Sequence, residues 1–172
     1  MISPVIQSFP PIADASATRL ILGSMPGMAS LAAGQYYAHP QNAFWRIMGE
    51  LLGFAPNAPY IERVDALRQA RIAVWDVLQS CERTGSLDSS IRRGSEVVND
   101  FAAFFTQHSQ ISEVVFNGGV AQTCFARRVT LPAGSWGLKF ARLPSTSPAY
   151  AAMPYEKKRE RWRQSLTDRA SA

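Results

Sequence analysis

The sequence predicts an α/β fold: a single domain over residues 1–172, with a central four-stranded parallel sheet flanked by helices. Three observations predict it. Four short apolar runs each end at Gly, Asp, Asn or Pro, helical periodicities separate them, and no repeat or low-complexity tract breaks the alternation. Strands that alternate with helices build parallel sheets, because each crossover must lie over one sheet face. A chain of 172 residues that is 47% hydrophobic can fill such a core without metal or disulfide staples.

The start is rich in proline (Pro4, Pro10, Pro11), and residues 1–17 are expected to be loose. Thr18-Arg19-Leu20-Ile21-Leu22 then reads as a buried strand ending at Gly23. Residues 23–41 form an unusually long loop, and structureless loops of that length are usually functional. Phe44, Ile47, Met48, Leu51 and Leu52 recur at helical spacing up to Gly53, and Pro59 opens a second helix on Ile61, Val64 and Leu67. Ile72-Ala73-Val74-Trp75 is the second strand and reaches Asp76. From Gly94 onward, Val97, Phe101, Phe104, Phe105 and His108 predict a helix. The third strand, Val114-Val115-Phe116, ends at Asn117-Gly118-Gly119 and leads into a helix through Val120, Cys124 and Phe125. The fourth, Lys139-Phe140-Ala141-Arg142-Leu143, ends at Pro144, and a last helix follows on Tyr155, Trp162 and Leu166. In open parallel sheets ligands bind beyond the carboxyl ends of the strands. Those ends carry the 23–42 loop, Asp76, Asn117 and the 144–148 loop.

Composition narrows the chemistry. The net charge is +5 and the pI about 9.6, and residues 101–172 hold ten of the 18 cationic side chains against four acids, which suits a polyanionic partner. Cys81 and Cys124 stand in no metal-ligand spacing, and His39 and His108 are the only histidines, so neither a zinc site nor a multi-histidine centre is expected. Unpaired cysteines fit a reducing cytosol. The sequence has no apolar run long enough to span a membrane and no signal-like N-terminus, so a cytoplasmic protein without a membrane partner is expected.

Several residues at the strand ends have both a structural and a chemical reading. Asn42 stands just before a helical pattern, where an N-cap belongs. Asp76 either caps a turn or faces a ligand. Asn117 before Gly118 reads as a turn residue, His39 as a loop brace, and Phe44 and Trp45 as core. Lys157-Lys158-Arg159, with Arg161 and Arg163, reads as the solvated face of the last helix.

Three motifs, in order, carry a family resemblance: Gly23-Ser24-Met25-Pro26-Gly27, Tyr37-Ala38-His39-Pro40-Gln41-Asn42-Ala43-Phe44-Trp45, and Leu143-Pro144-Ser145-Thr146-Ser147-Pro148. Together they resemble the uracil-DNA glycosylase superfamily, most closely its hypoxanthine-DNA (deoxyinosine) glycosylase branch, from about Arg19 to Tyr150. Two positions depart from the wider superfamily. Met25 stands where most members carry a water-positioning Asp or Asn, and Leu143 replaces the polar residue that usually opens the last motif. In the hypoxanthine branch the catalytic Asn lies in the His-Pro-x-Asn run, which here is Asn42.

The resemblance implies a monofunctional DNA glycosylase, a monomer without cofactor, that hydrolyses the N-glycosidic bond of deaminated bases in DNA, hypoxanthine first. Asn42 would orient the water; Ser24 and Met25 would offer backbone amides to the base, Tyr37 would stack on it, and ionised Asp76 would accept its N1–H. Ser145, Thr146 and Ser147 would bind phosphates, and Tyr150 falls where relatives insert a wedge. No lysine lies in the motifs to form a Schiff base, so strand cleavage is not expected. The alternatives are a mismatch-specific uracil glycosylase and a non-catalytic module for damaged or single-stranded DNA, which Met25 and Leu143 keep open.

Overall fold

The computed structural model describes residues 3–167. Its centre is a four-stranded parallel sheet of order β3-β2-β6-β7, formed by β2 (Arg19–Gly23), β3 (Ile72–Asp76), β6 (Glu113–Asn117) and β7 (Lys139–Leu143). These are the four expected strands, with bounds shifted by a residue at most at either end. β3 and β6 are buried along their whole length, which is why they read as unbroken apolar runs rather than alternating ones.

Helices cover both faces. On one, Ile21, Val74 and Val115 pack against α2 (Phe44–Leu52), α3 (Tyr60–Gln69) and α6 (Tyr155–Thr167) through Phe44, Met48, Leu67 and Trp162. On the other, Leu20, Leu22, Trp75 and Phe116 meet α4 (Phe101–Gln107) and α5 (Gly119–Arg128) through Phe101, Phe105 and Phe125. Phe44, Ile47, Met48, Leu67 and Phe105 are all fully buried, so truncating any of them to alanine should cost about 2–5 kcal/mol. No helix among the described residues is long and apolar enough to cross a membrane.

Three expectations are corrected. Residues expected to be loose include β1 (Val5–Gln7), antiparallel to β4 (Leu78–Glu82), and Ile12 bridges to Val74. The helix expected from Gly94 starts only at Phe101, capped by Asp100 accepting the Ala103 N–H at 3.0 Å. Val97 lies instead in β5 (Val97–Val98), the third strand of a small β1-β4-β5 sheet. Finally, the long loop after β2 is interrupted by a short helix, α1 (Met28–Ala33).

Parallel register brings the functional ends together. Gly23 pairs with Asp76 and Asn117 with Leu143, so the 24–27 loop, Asp76, Asn117 and the 144–148 loop leave one edge of the sheet side by side.

Candidate active site

A cleft of about 1080 Å³ opens at that edge, and every strand end singled out in the sequence contributes to its wall. The volume is at the upper end for small-molecule pockets and leaves room for a nucleotide with part of its backbone.

Asp76 lies deepest. It is 4% exposed, and its Oδ2 has no hydrogen-bond partner among the described residues. Burial, then the negative charge of Asp88, push its carboxyl up to about 7, while Arg83 pulls the other way. Its backbone carbonyl accepts the Asn99 Nδ2–H at 2.8 Å, which fixes the strand end. The side chain accepts no turn-capping bond among the described residues, and it lines the cleft.

Tyr37 adopts a left-handed backbone (φ 53°) and stacks its ring on Phe44 at a centroid distance of 4.1 Å. Its hydroxyl is buried with no partner in hydrogen-bonding geometry, although Asn117 lies close enough to favour its ionised form slightly; burial, followed by the Asp76 charge, raises it far above the usual phenol range. Gly23 explains how Tyr37 and Asp76 share one corner. A Cβ there would lie 2.5 Å from Asp76 Oδ1, closer than side chains come to one another, and a tight 3.2 Å from Tyr37 Oη.

Asn42 stands one residue before Ala43, which rather than Asn42 is the N-cap of α2; its Oδ1 accepts the Phe44 N–H at 2.9 Å while the residue also lines the cleft. A carbonyl oxygen has two lone pairs, so this bond fixes the amide and leaves acceptor capacity for a second donor. His39 is a loop brace, its Nδ1 accepting the Gln41 N–H at 3.1 Å, and Phe44 and Trp45 are core.

Asn117 is corrected. The positive φ belongs to Gly118 (94°), whose missing side chain also admits Ser145, because a Cβ would meet Ser145 Cβ at 2.9 Å. The buried Asn117 amide instead clasps Thr146, donating to its Oγ1 and accepting its backbone N–H, both at 2.9 Å. Thr146 is 1% exposed and its carbonyl accepts the Ala43 N–H. Its expected phosphate contact is therefore corrected to a brace between β6, the 144–148 loop and α2. Ser145 and Ser147 stay at the cleft wall, joined by a bond from the Ser147 N–H to Ser145 Oγ. Tyr150 is 40% exposed, with its carbonyl accepting from Lys158 Nζ at 2.6 Å.

One wall was not foreseen. Ser24 donates its hydroxyl to Asp88 Oδ2 at 2.6 Å, and Ser86 Oγ accepts the Met28 N–H at 2.9 Å. Behind them Arg83, 1% exposed, donates to the carbonyls of Gly85 and Pro26 and lies 3.9 Å from Asp88 Oδ1. Met25 is buried against Leu78 and Cys81, which holds the 24–27 loop against the small sheet. Gly85-Ser86-Leu87-Asp88 carries a local turn signal, but nothing local ties it to the loop after β2. Among the described residues no cluster of His, Cys, Asp and Glu could hold a metal ion.

The chain is 38% identical over 113 residues to a hypoxanthine DNA glycosylase of Methanosarcina barkeri, covering 65% of this chain and 70% of that one. A protein of the same description from Methanosarcina acetivorans is 36% identical over the same shares. A solution NMR structure from M. acetivorans, described as a uracil DNA glycosylase, superposes with a TM-score of 0.75 at 28% identity over 94% of this chain and 98% of that one. The profile of the uracil DNA glycosylase superfamily matches residues 10–169, and the chain belongs to that superfamily.

Proposed function

We propose that this protein is a monofunctional DNA glycosylase that removes deaminated bases, hypoxanthine first, and leaves an abasic site. The observation that carries the reading is the buried Asp76 carboxyl, its Oδ2 without a partner, in the wall of a cleft that Asn42 also lines. Curated relatives described as hypoxanthine DNA glycosylases support the choice of base.

In this reading the target nucleotide leaves the stack and enters the cleft. Tyr37, one ring face on Phe44, offers the other to the base, and ionised Asp76 accepts the N1–H of hypoxanthine. The C1′–N9 bond breaks with its electron pair going to the base, and the sugar passes through an oxocarbenium-like state. Backbone amides of Ser24 and Met25 receive the charge that develops on the base. Asn42 Oδ1 orients a water whose oxygen bonds C1′; the water proton passes to the departing base. Ser145 and Ser147 hold the flanking phosphates, Thr146 sets their loop, and Tyr150 fills the gap in the stack. The protein acts as a monomer.

The test is single-turnover base release from duplexes carrying one hypoxanthine or one uracil, with alkali to cut the abasic sites. Faster hypoxanthine release is expected, and Asn42→Ala should slow it by about 100-fold or more while DNA is still bound. Preferential uracil release would make this a uracil glycosylase, and binding without release from either duplex would make it a non-catalytic module.

A further inference from the structure

Beyond the 39–42 segment from the cleft lies a second groove, of about 690 Å³. Asn42, Ser147 and Tyr150 line both, so the two are continuous around the same loops. The new walls bring three cations, Arg46, Arg63 and Lys158, and among the described residues no carboxylate lines the groove.

Each cation is held on an aromatic ring. Arg46 Cζ lies 3.7 Å from the Tyr155 ring centroid, Arg63 Cζ 4.7 Å from that of Trp45 and 5.4 Å from that of Tyr60. Lys158 Nζ lies 5.1 Å from the Tyr150 centroid and donates to the Tyr150 carbonyl. Stacking fixes the rotamers of long side chains in advance, so less entropy is lost when an anion arrives. Arg63 is pinned further, its Nε donating to the Ala58 carbonyl at 2.9 Å. Burial holds both Arg63 and Lys158 below their ordinary values, a cost that an anion in the groove would offset. Among the described residues the one acid paired with any of these cations is Glu50, which lies 3.8 Å from Arg46 and also takes Tyr155 Oη–H and Arg159. That Arg46 contact is long and exposed, and a phosphate can displace it at little cost.

We propose that this groove holds the backbone phosphates of the target DNA strand on one side of the extruded nucleotide, with Arg46, Arg63 and Lys158 as their ligands. The inference rests on the glycosylase reading for its substrate. It adds a directional footprint: the strand enters the cleft over Ser145 and Ser147 and leaves past Asn42 along the three cations.

The experiment measures binding and chemistry separately. Fluorescence anisotropy is recorded on a labelled duplex with a central hypoxanthine and on two versions whose target strand stops just beyond that base on one side or the other. The proteins are the full chain, Arg46→Gln, and Arg46→Gln with Arg63→Gln; thermal melting confirms that each variant is folded. Arg46→Gln alone is informative if the double variant unfolds, since the Arg46 side chain is 59% exposed. On the full duplex the double variant should bind about tenfold more weakly, with the log–log salt dependence shallower by about one for each lost contact. Trimming one side, and only that side, should abolish the difference between variant and unaltered protein. An unchanged salt slope, or an equal loss on both trimmed duplexes, overturns the proposal. Base release on the same duplexes is scored independently, so absence of release would count against the glycosylase reading while the binding data still decide the groove.

Discussion

Gly23 and Asp76 stand opposite one another on adjacent parallel strands, and the Asp76 carboxylate occupies the space in which a Gly23 side chain would lie. The smallest residue of β2 thus creates the room in which the most buried acid of the cleft sits. Gly23→Ala should push Asp76 Oδ1 and Tyr37 Oη aside together, since its Cβ would lie 2.5 and 3.2 Å from them. Overpacking of this kind typically costs about 1–3 kcal/mol of stability. The larger effect is expected on chemistry: displacement of about an ångström at a reacting group costs on the order of 100-fold in rate. Single-turnover release beside a melting curve checks both, and a variant with the original rate would show that the Gly23 corner does not position the base.

Asp76 supplies a pH dependence with a definite sign. Its carboxyl is raised to about 7 by burial and by Asp88, so the ionised form assigned to reading N1–H fills only as pH climbs through that value. Hypoxanthine release should rise with pH across about 6–8. Asp88→Asn removes the like charge, keeps an acceptor for Ser24, and should move the midpoint to lower pH. A profile that falls over this range would make the neutral acid the working form. Stability runs the other way. A carboxyl whose folded value exceeds its unfolded 3.8 opposes folding increasingly from about pH 4 to pH 7, and the whole penalty stands above that. Asp76→Asn should therefore stabilise the protein at pH 8 by roughly 2–4 kcal/mol and at pH 4 by little, while hypoxanthine release falls.

The main sheet and the route to the cleft were legible for one physical reason. Strands buried on both faces, such as Ile72–Asp76 and Glu113–Asn117, leave continuous apolar runs, and the polar residues that stop them are the ones that reach the cleft. The small sheet was not legible, because Leu78–Glu82 mixes exposed Gln79 with buried Cys81 and Val97–Val98 is only two residues long. Such strands exist through pairing partners distant in sequence. Asn117 was misread for a related reason. Asn before Gly is a local turn signal, whereas its partner Thr146 lies 29 residues away and comes near only through the β6–β7 pairing. Asp88 and Arg83 were out of reach in the same way, since their contacts to Ser24 and Pro26 span 64 and 57 residues.

The Asn117–Thr146 clasp makes a prediction about affinity. Asn117→Leu keeps the approximate volume and deletes both hydrogen bonds, leaving the Thr146 N–H buried without a partner. The expected loss is about 2–4 kcal/mol of stability, from two buried bonds at 1–3 kcal/mol each with partial relaxation. The 144–148 loop would then hold Ser145 and Ser147 less firmly, and KM for a hypoxanthine duplex should rise by a larger factor than kcat falls. Thr146→Ser, which retains the hydroxyl, should restore most of what Thr146→Val loses. A larger loss in Thr146→Ser than in Thr146→Val would mean that the methyl group, which valine keeps, holds the loop rather than the bond to Asn117.

Arg83 separates charge from geometry in the unforeseen wall. Its guanidinium is buried, donates to the carbonyls of Pro26 and Gly85, and its charge lowers the Asp76 carboxyl. Arg83→Met removes both functions. The buried Pro26 carbonyl and the part-buried Gly85 carbonyl lose their donor and Asp88 loses the cation 3.9 Å away, at an expected cost of about 2–4 kcal/mol. With that charge gone, the Asp76 midpoint should move to higher pH, so activity at neutral pH falls and is partly regained in alkaline buffer. Arg83→Lys retains the charge but cannot reproduce the forked donor set, because an ammonium is a single point donor on a flexible stem. It should melt at a lower temperature than the unaltered protein and titrate at nearly the original midpoint. If Arg83→Lys instead shifts the pH profile as far as Arg83→Met does, the guanidinium acts on Asp76 by shaping the 24–27 loop rather than through its charge.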